Sequence, residues 1–384
     1  MSFQTPHAVL PSTTHDEAAR QDFVKSMRQH VTMSLTPGNE VVYRRAVLPA
    51  FARRHGRSPK DRREVRAAML REPYHQAWSA MMRTTQEMIW DSIETSVDRQ
   101  RATLNARAAQ LVGKHGTLTL DPDLVPPRYV TAVDIHCMPG NYTTDPGPGD
   151  VTAGALYDRG VYLYMMGGMG GTNQSCGDML IGYIRKSFPD LAPQRILDMG
   201  CAVGHSTLPY AEAFPAAEIH GIDVGAPMLR YAHARAEAMG KRVHFSQQNA
   251  ERTNFATGSF DLVVSHIALH ETSAKAVHAI MRESRRLLRP GGIALHLEVP
   301  PFAGKDPFDQ YLTDWDTHYN AEPFIGTLHD LDMRAVIAGA GFSPRETILD
   351  LVPLVIYVAD PGKDGNYAHH VGGHFCVAGG RRSS

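Results

Sequence analysis

The chain has 384 residues, a length that admits one large domain or two ordinary ones, and 43% of it is hydrophobic, enough to build a core. Its formal net charge of −1 gives no global field to draw it to nucleic acid or to an anionic membrane, so a small-molecule partner is expected. Cys137, Cys176, Cys201 and Cys376 are scattered without a CxxC, and no run approaches the ~18 apolar residues of a membrane span, which reads as a soluble cytoplasmic protein without disulfides.

Residues 1–15 are polar, carry Pro6 and Pro11, and read as a flexible tail. Residues 16–113 read as a helical module, a candidate cap or dimerisation surface. In it Trp78, Met81, Met82, Met88, Ile89, Ile93 and Val97 recur at spacings of three, four and seven, one apolar stripe of a helix. From 114 to 174 the prolines and glycines of DPDLVPP and NYTTDPGPGD exclude long helices and predict an irregular linker, closed by the glycine-dense MMGGMGG at 165–171. Over 175–384 strands and helices alternate. Strands are expected at 194–200, 218–224, 242–249, 260–269, 291–300, 347–360 and 373–382, the last two joined by a loop and therefore antiparallel. This is an α/β pattern: a doubly wound, mostly parallel, seven-stranded Rossmann-like sheet behind a helical domain.

Of the two glycine loops, only the second follows a strand. In DMGCAVGHS an acid, Asp198, ends that strand, and Gly200 and Gly204 shape the turn into the next helix. A carboxylate there repels a pyrophosphate, so the loop suits a ligand that is cationic at that point, not a dinucleotide. Asp223 ends the second strand, where an acid accepts from a ribose diol, and Asn249 follows the third, where an amide suits a purine edge or a turn.

This order of motifs resembles the class I S-adenosylmethionine-dependent methyltransferases over roughly 175–382, and most closely their ubiquinone-type and natural-product branch. LDMGCAVGHS is similar to their first motif, GIDVGAPML to the acidic ribose motif, QQNAERTNFATGSFDLVVSHIALHE to the third and fourth, and RRLLRPGGIALHLEV to the segment after the fourth strand. The resemblance implies strand order 3-2-1-4-5-7-6 and S-adenosyl-L-methionine as cofactor. It places Asp198, Gly200 and Gly204 at the methionine portion, Asp223 on the ribose, and Val224 and Met228 on the adenine. Asn249 and Ala250 then read the adenine edge, and Ser265 and His266 line the methionine end. Ala202 stands where the family commonly has glycine, and Asn249 where it has aspartate.

Transfer from a sulfonium to a hydroxyl requires a base. His270, just past the fourth strand, resembles the base of natural-product O-methyltransferases, although their His-Asp-Trp is His-Glu-Thr here. Glu271 either orients that imidazole or complements a helix dipole. The long stretch 302–330 crosses the ligand edge, where Trp315 and Tyr319 are candidate pocket walls, with Tyr311 and Phe324 beside them. Tyr164, Met165 and Met166 are placed on a flap or hinge at MMGGMGG. His369, His370, His374 and Cys376, to which His136 and Cys137 could add, are of metal-ligating types but lack the spacing of a closed tetrahedral site; a solvated hairpin loop is the alternative, and no metal is expected. The expected activity is methyl transfer to a small molecule, on oxygen if His270 is the base. The alternatives are a C- or N-methyltransferase and a cofactor-binding protein without transfer.

Overall fold

The computed structural model describes residues 4–111, 113–359 and 366–383; the side chains of 358, 359 and 366–372, including His369 and His370, lie outside the described residues. The strands are β1 (Thr117–Thr119), β2 (Arg195–Met199), β3 (Glu218–Asp223), β4 (His244–Gln247), β5 (Phe260–His266), β6 (Leu288–Glu298), β7 (Thr347–Ala359) and β8 (Asn366–Arg381). They form one sheet in the order β1-β4-β3-β2-β5-β6-β8-β7, parallel except that β8 runs antiparallel to both β6 and β7. From β4 onward this is the order the resemblance implies. β5 is buried at every position, as expected of a central parallel strand covered by helices on both faces. One apolar layer joins Ile196, Leu262, Val264 and Leu295 to the helices Ser175–Ser187 and Ala226–Ala238. The other joins Leu197, Val263 and Ala294 to the helices Ala274–Leu287 and Met333–Gly339.

Three segments differ from the sequence expectation. The strand β1 lies inside the stretch read as irregular. It is fixed at the sheet edge because the backbone N–H groups of Lys114, His115 and Gly116 all donate to the Glu237 carboxylate. A helix, Thr152–Tyr164, follows the last proline of the same stretch, its first turn held by Thr152 donating to Asp150 from both backbone and hydroxyl. Its glycines are sites of close packing: a Cβ at Gly154 would stand 2.2 Å from Tyr231 Cβ, and one at Gly160 2.1 Å from the Trp90 ring.

The third is the tail. From Gln4 onward it is docked: Val9 is fully buried, Thr5 N–H donates to the Gly171 carbonyl, and Thr14 caps the helix His15–His30 with Glu17 in a capping box. Buried Asp158 gathers this region. It accepts from Gln4 at 2.9 Å, Tyr231 at 2.8 Å, His205 at 2.8 Å and His7 at 3.1 Å, and pairs with Arg235 at 3.3 Å.

The 37-residue helix Pro73–Ala109 carries the helical module. Its Ile89, Trp90, Ile93 and Leu104 share a core with Leu156, Leu163, Met228 and Tyr231, so the module is continuous with the sheet domain. Three short helices after β6, Pro307–Thr313, Trp315–Tyr319 and Ile325–Asp330, pack on it. Phe308 stacks on Tyr43 at 4.5 Å, Tyr311 meets His75, and Arg62 forms a two-pronged pair with Asp330. Trp315 and Tyr319, expected in a pocket wall, belong to this packing. Trp315 lies edge-on to Trp78, donates its indole N–H to Ser79 Oγ at 2.8 Å and has Tyr319 against it. Their aromatic area is spent joining the insertion to the module. No described helix is long and apolar enough to cross a membrane.

Candidate active site

A cavity of about 310 Å3 opens over the carboxyl ends of β2, β3 and β5, roofed by Trp90 of the long helix and by Tyr157, Val161 and Tyr164 of the helix Thr152–Tyr164. This is where a doubly wound sheet binds ligands, because the chain reverses direction there and leaves a crevice.

Asp198, Gly200, Asp223, Val224, Asn249, Ala250, Ser265 and His266 line one half. Asp198 accepts from Thr207 Oγ1 at 2.6 Å and from His266 Nδ1 at 3.2 Å, while Tyr210 O–H faces His266 Nε2 at 3.0 Å. The carboxylate fixes the imidazole tautomer, since it can only accept. Asp223 accepts from the backbone N–H groups of Gly225 and Ala202. Burial pushes its pKa up, and those hydrogen bonds work the other way. Asn249 accepts from Glu251 N–H at 2.8 Å, making a turn and leaving its amide N–H2 for a ligand. Gly204 and Met228 do not line the cavity: Gly204 shapes the turn at φ 78, and Met228 is fully buried beneath. Met165 and Met169 do line it. The glycine turn between and around them is pinned by Tyr357 N–H donating to Gly168 and Thr5 N–H donating to Gly171.

His136, Tyr142, Tyr157, Tyr164, Glu271 and Thr272 line the other half. His270 is 3% exposed and is not in the lining; it stands behind Glu271. Its Nδ1 donates to Glu298 Oε2 at 3.0 Å, and its Nε2 faces Glu271 Oε1 at 3.5 Å. His136 Nε2 meets the same Glu271 oxygen at 2.9 Å, and its Nδ1 meets Glu322 Oε1 at 3.0 Å. Tyr142 O–H adds a third donor to Glu271 Oε1 at 3.3 Å, whereas buried Glu271 Oε2 has no hydrogen-bond partner. Burial opposes charge on both imidazoles. The carboxylates outweigh it, Glu322 and Glu271 for His136 and Glu298 and Glu271 for His270, holding both well above the usual histidine range. Burial, with Glu322 nearby, pushes Asp316 up to about 7.

The segment carrying His136 is held in an uncommon conformation. His136 and Cys137 are both left-handed, at φ 56 and 58, and the His136 carbonyl accepts from Gln86 at 2.7 Å and Trp90 at 2.8 Å. Consecutive left-handed side-chain residues are costly and persist where surrounding structure enforces them. Sequence reasoning missed Glu298 and Glu322. Glu298 ends β6 and Asp198 stands one residue before the end of β2, so the rule that found one acid also applies to the other. Glu322 has no local signature.

Fold and site together define a doubly wound enzyme for a nucleoside ligand without a pyrophosphate: two carboxylates end adjacent parallel strands, and no lysine or arginine is among the lining residues. Residues 196–292 match the family described as Methyltransferase domain. A demethylmenaquinone methyltransferase of Thermus thermophilus is 31% identical over 189 residues, 44% of this chain and 83% of that protein. A malonyl-[acyl-carrier protein] O-methyltransferase of Legionella pneumophila is 29% identical over 150 residues, 38% of this chain and 50% of that protein. Among solved structures, Haemonchus contortus phosphoethanolamine N-methyltransferase 2, in complex with phosphomonomethylethanolamine and S-adenosylhomocysteine, aligns with a TM-score of 0.35 and 21% identity, covering 45% of this chain and 38% of that one. The chain belongs to the class I S-adenosylmethionine-dependent methyltransferases, in the branch that acts on small molecules. It is an enzyme whose cofactor is S-adenosylmethionine.

Proposed function

We propose that the enzyme methylates an oxygen of a small-molecule acceptor, with the cofactor in the Asp198–Asp223 half of the cavity and the acceptor in the His136–Glu271 half. The residues fit the cofactor: Asp223 keeps acceptor capacity for a ribose diol, Val224 and Ala250 flank a place for adenine, and Asn249 offers its amide N–H2 to the adenine edge. Asp198, Ser265 and His266 form a polar end for the methionine portion. S-adenosylmethionine supplies a methyl group already activated on a sulfonium sulfur, so the protein's part is to position the acceptor and relieve it of its proton.

The observation that carries the oxygen reading is Glu271, which lines the cavity with one oxygen unpartnered while two imidazoles and a tyrosine hold the other. As the new C–O bond forms and the methyl C–S bond breaks, the acceptor oxygen becomes strongly acidic and gives its proton to the unpartnered oxygen of the Glu271 carboxylate, which releases it to solvent. His136 and His270 hold that carboxylate in place through its other oxygen, and Tyr142, Tyr157 and Tyr164 provide the flat walls of an aromatic or otherwise unsaturated acceptor site.

The test is incubation with methyl-labelled S-adenosylmethionine and a panel of phenols, enols, amines and activated carbon acids, with the labelled position read by NMR. Label on oxygen, with one S-adenosylhomocysteine formed per methyl, is the expected result. Label on nitrogen or carbon alone, or cofactor binding with no product across the panel, overturns the oxygen reading.

A further inference from the structure

We infer that His136, His270 and Glu271, with Glu322 beside them, form a binding site for a divalent transition-metal ion at the acceptor end of the cavity. One ligand atom from each of the four residues lies within 4.8 Å of every other. Donor atoms sharing an ion at about 2.0–2.2 Å must stand this close to one another. The two histidines are arranged alike: each turns Nδ1 to a carboxylate, His136 to Glu322 and His270 to Glu298, and each turns Nε2 to Glu271 Oε1. A carboxylate on the far nitrogen is how proteins orient metal-binding imidazoles and fix their tautomer. Two imidazoles and one carboxylate with an open side suit a first-row divalent ion better than magnesium or calcium.

Three further observations support the site. Glu271 crowds its donors onto one oxygen and leaves the other buried without a partner, an arrangement that hydrogen bonding alone does not explain. The backbone at His136 and Cys137 is held left-handed by Gln86 and Trp90, so strain is maintained to place this imidazole. His136 and Glu271 both line the cavity, giving an ion there an open face toward the acceptor.

Binding of the ion stands on geometry alone; its use rests on the oxygen-acceptor reading. An acceptor hydroxyl coordinated by the ion would be acidified and give its proton to solvent, leaving its oxygen held as an anion, and an acceptor with two adjacent oxygens would chelate the ion. Glu271 then acts as a ligand instead of accepting the proton.

The experiment is a titration of full-length, chelator-treated and dialysed protein with Co2+, followed by visible absorption, together with metal analysis of protein purified without chelator. About one equivalent with ligand-field bands is expected, lost in His136→Ala and His270→Ala and weakened about 10- to 100-fold in Glu298→Gln, which removes only an orienting partner. Circular dichroism separates loss of binding from loss of fold, and the near-isosteric Glu271→Gln gives a second ligand variant. Absence of stoichiometric binding, or binding indifferent to both histidines, overturns the site. A site that binds Co2+ in an enzyme that methylates no hydroxyl sustains the site and removes the oxygen reading.

Discussion

The clearest departure from the family pattern at the scale of single residues is Ala202, which adopts φ 44 in the cofactor loop where glycine is usual. A side chain in this region costs about 1–2 kcal/mol, and glycine returns part of that as unfolded-chain entropy. Ala202→Gly is therefore expected to raise stability by about 0.5–1 kcal/mol, seen as a higher urea midpoint at constant slope; a lower midpoint contradicts this account of the loop. Asp223 gives a second prediction. Asp223→Asn exchanges a charged acceptor for a neutral amide and should weaken S-adenosylmethionine binding by about 1.5–3 kcal/mol, roughly 10- to 100-fold in Kd by calorimetry. Unchanged affinity would place the ribose elsewhere. These residues were legible because strand-end acids and turn glycines are local signals. Met228 was not: its helical register turns the side chain into the core, which only the packed helix reveals.

Among the elements, the segments that bind the module to the sheet are those the sequence concealed. Prolines and glycines at 121–149 argued against regular structure throughout 114–174, yet the helix Thr152–Tyr164 begins directly after them. Its glycines admit Trp90 and Tyr231, partners distant in sequence. Asp158, in the middle of that helix, ties together the N-terminal segment, the cofactor loop through His205 and the helix Ala226–Ala238 through Arg235. Asp158→Asn leaves Arg235 buried without its counter-charge and is expected to cost about 3–5 kcal/mol, measurable by denaturant unfolding. Burial alone would raise the Asp158 pKa, but His205 and Arg235 prevail and hold it well below the ordinary value. A depressed folded-state pKa means that its stabilisation is fully present above the unfolded value of about 3.9 and fades as pH falls below it. The gap in stability between wild type and Asp158→Asn should thus be constant near neutrality and shrink on acidification below about pH 4; a gap independent of pH contradicts the pairing.

For the whole molecule, the two halves of the cavity have different origins, and this explains what the sequence conveyed. The half proposed for the cofactor comes from consecutive strand ends of one sheet, so its order and spacing are readable along the chain. The half proposed for the acceptor is assembled from four places: His136 before the helix Thr152–Tyr164, Glu271 after β5, Glu298 at the end of β6 and Glu322 in the insertion packed on the helical module. No spacing motif can announce a cluster so dispersed; the histidine-rich stretch near β8, with His136 and Cys137 as possible additions, is set aside because its spacing fits no closed tetrahedral site. His270 was singled out from its place after a strand, and its neighbour Glu271 is the one that reaches the cavity.

Glu271→Gln, assayed for S-adenosylmethionine affinity and for turnover of an acceptor found in the labelled panel, tests most directly whether the cavity divides into cofactor and acceptor halves. The predicted result is an unchanged cofactor Kd with kcat lowered about 10^2- to 10^4-fold, the span that removal of a proton acceptor produces. Undiminished turnover, or a cofactor affinity that falls in step with it, would contradict that division.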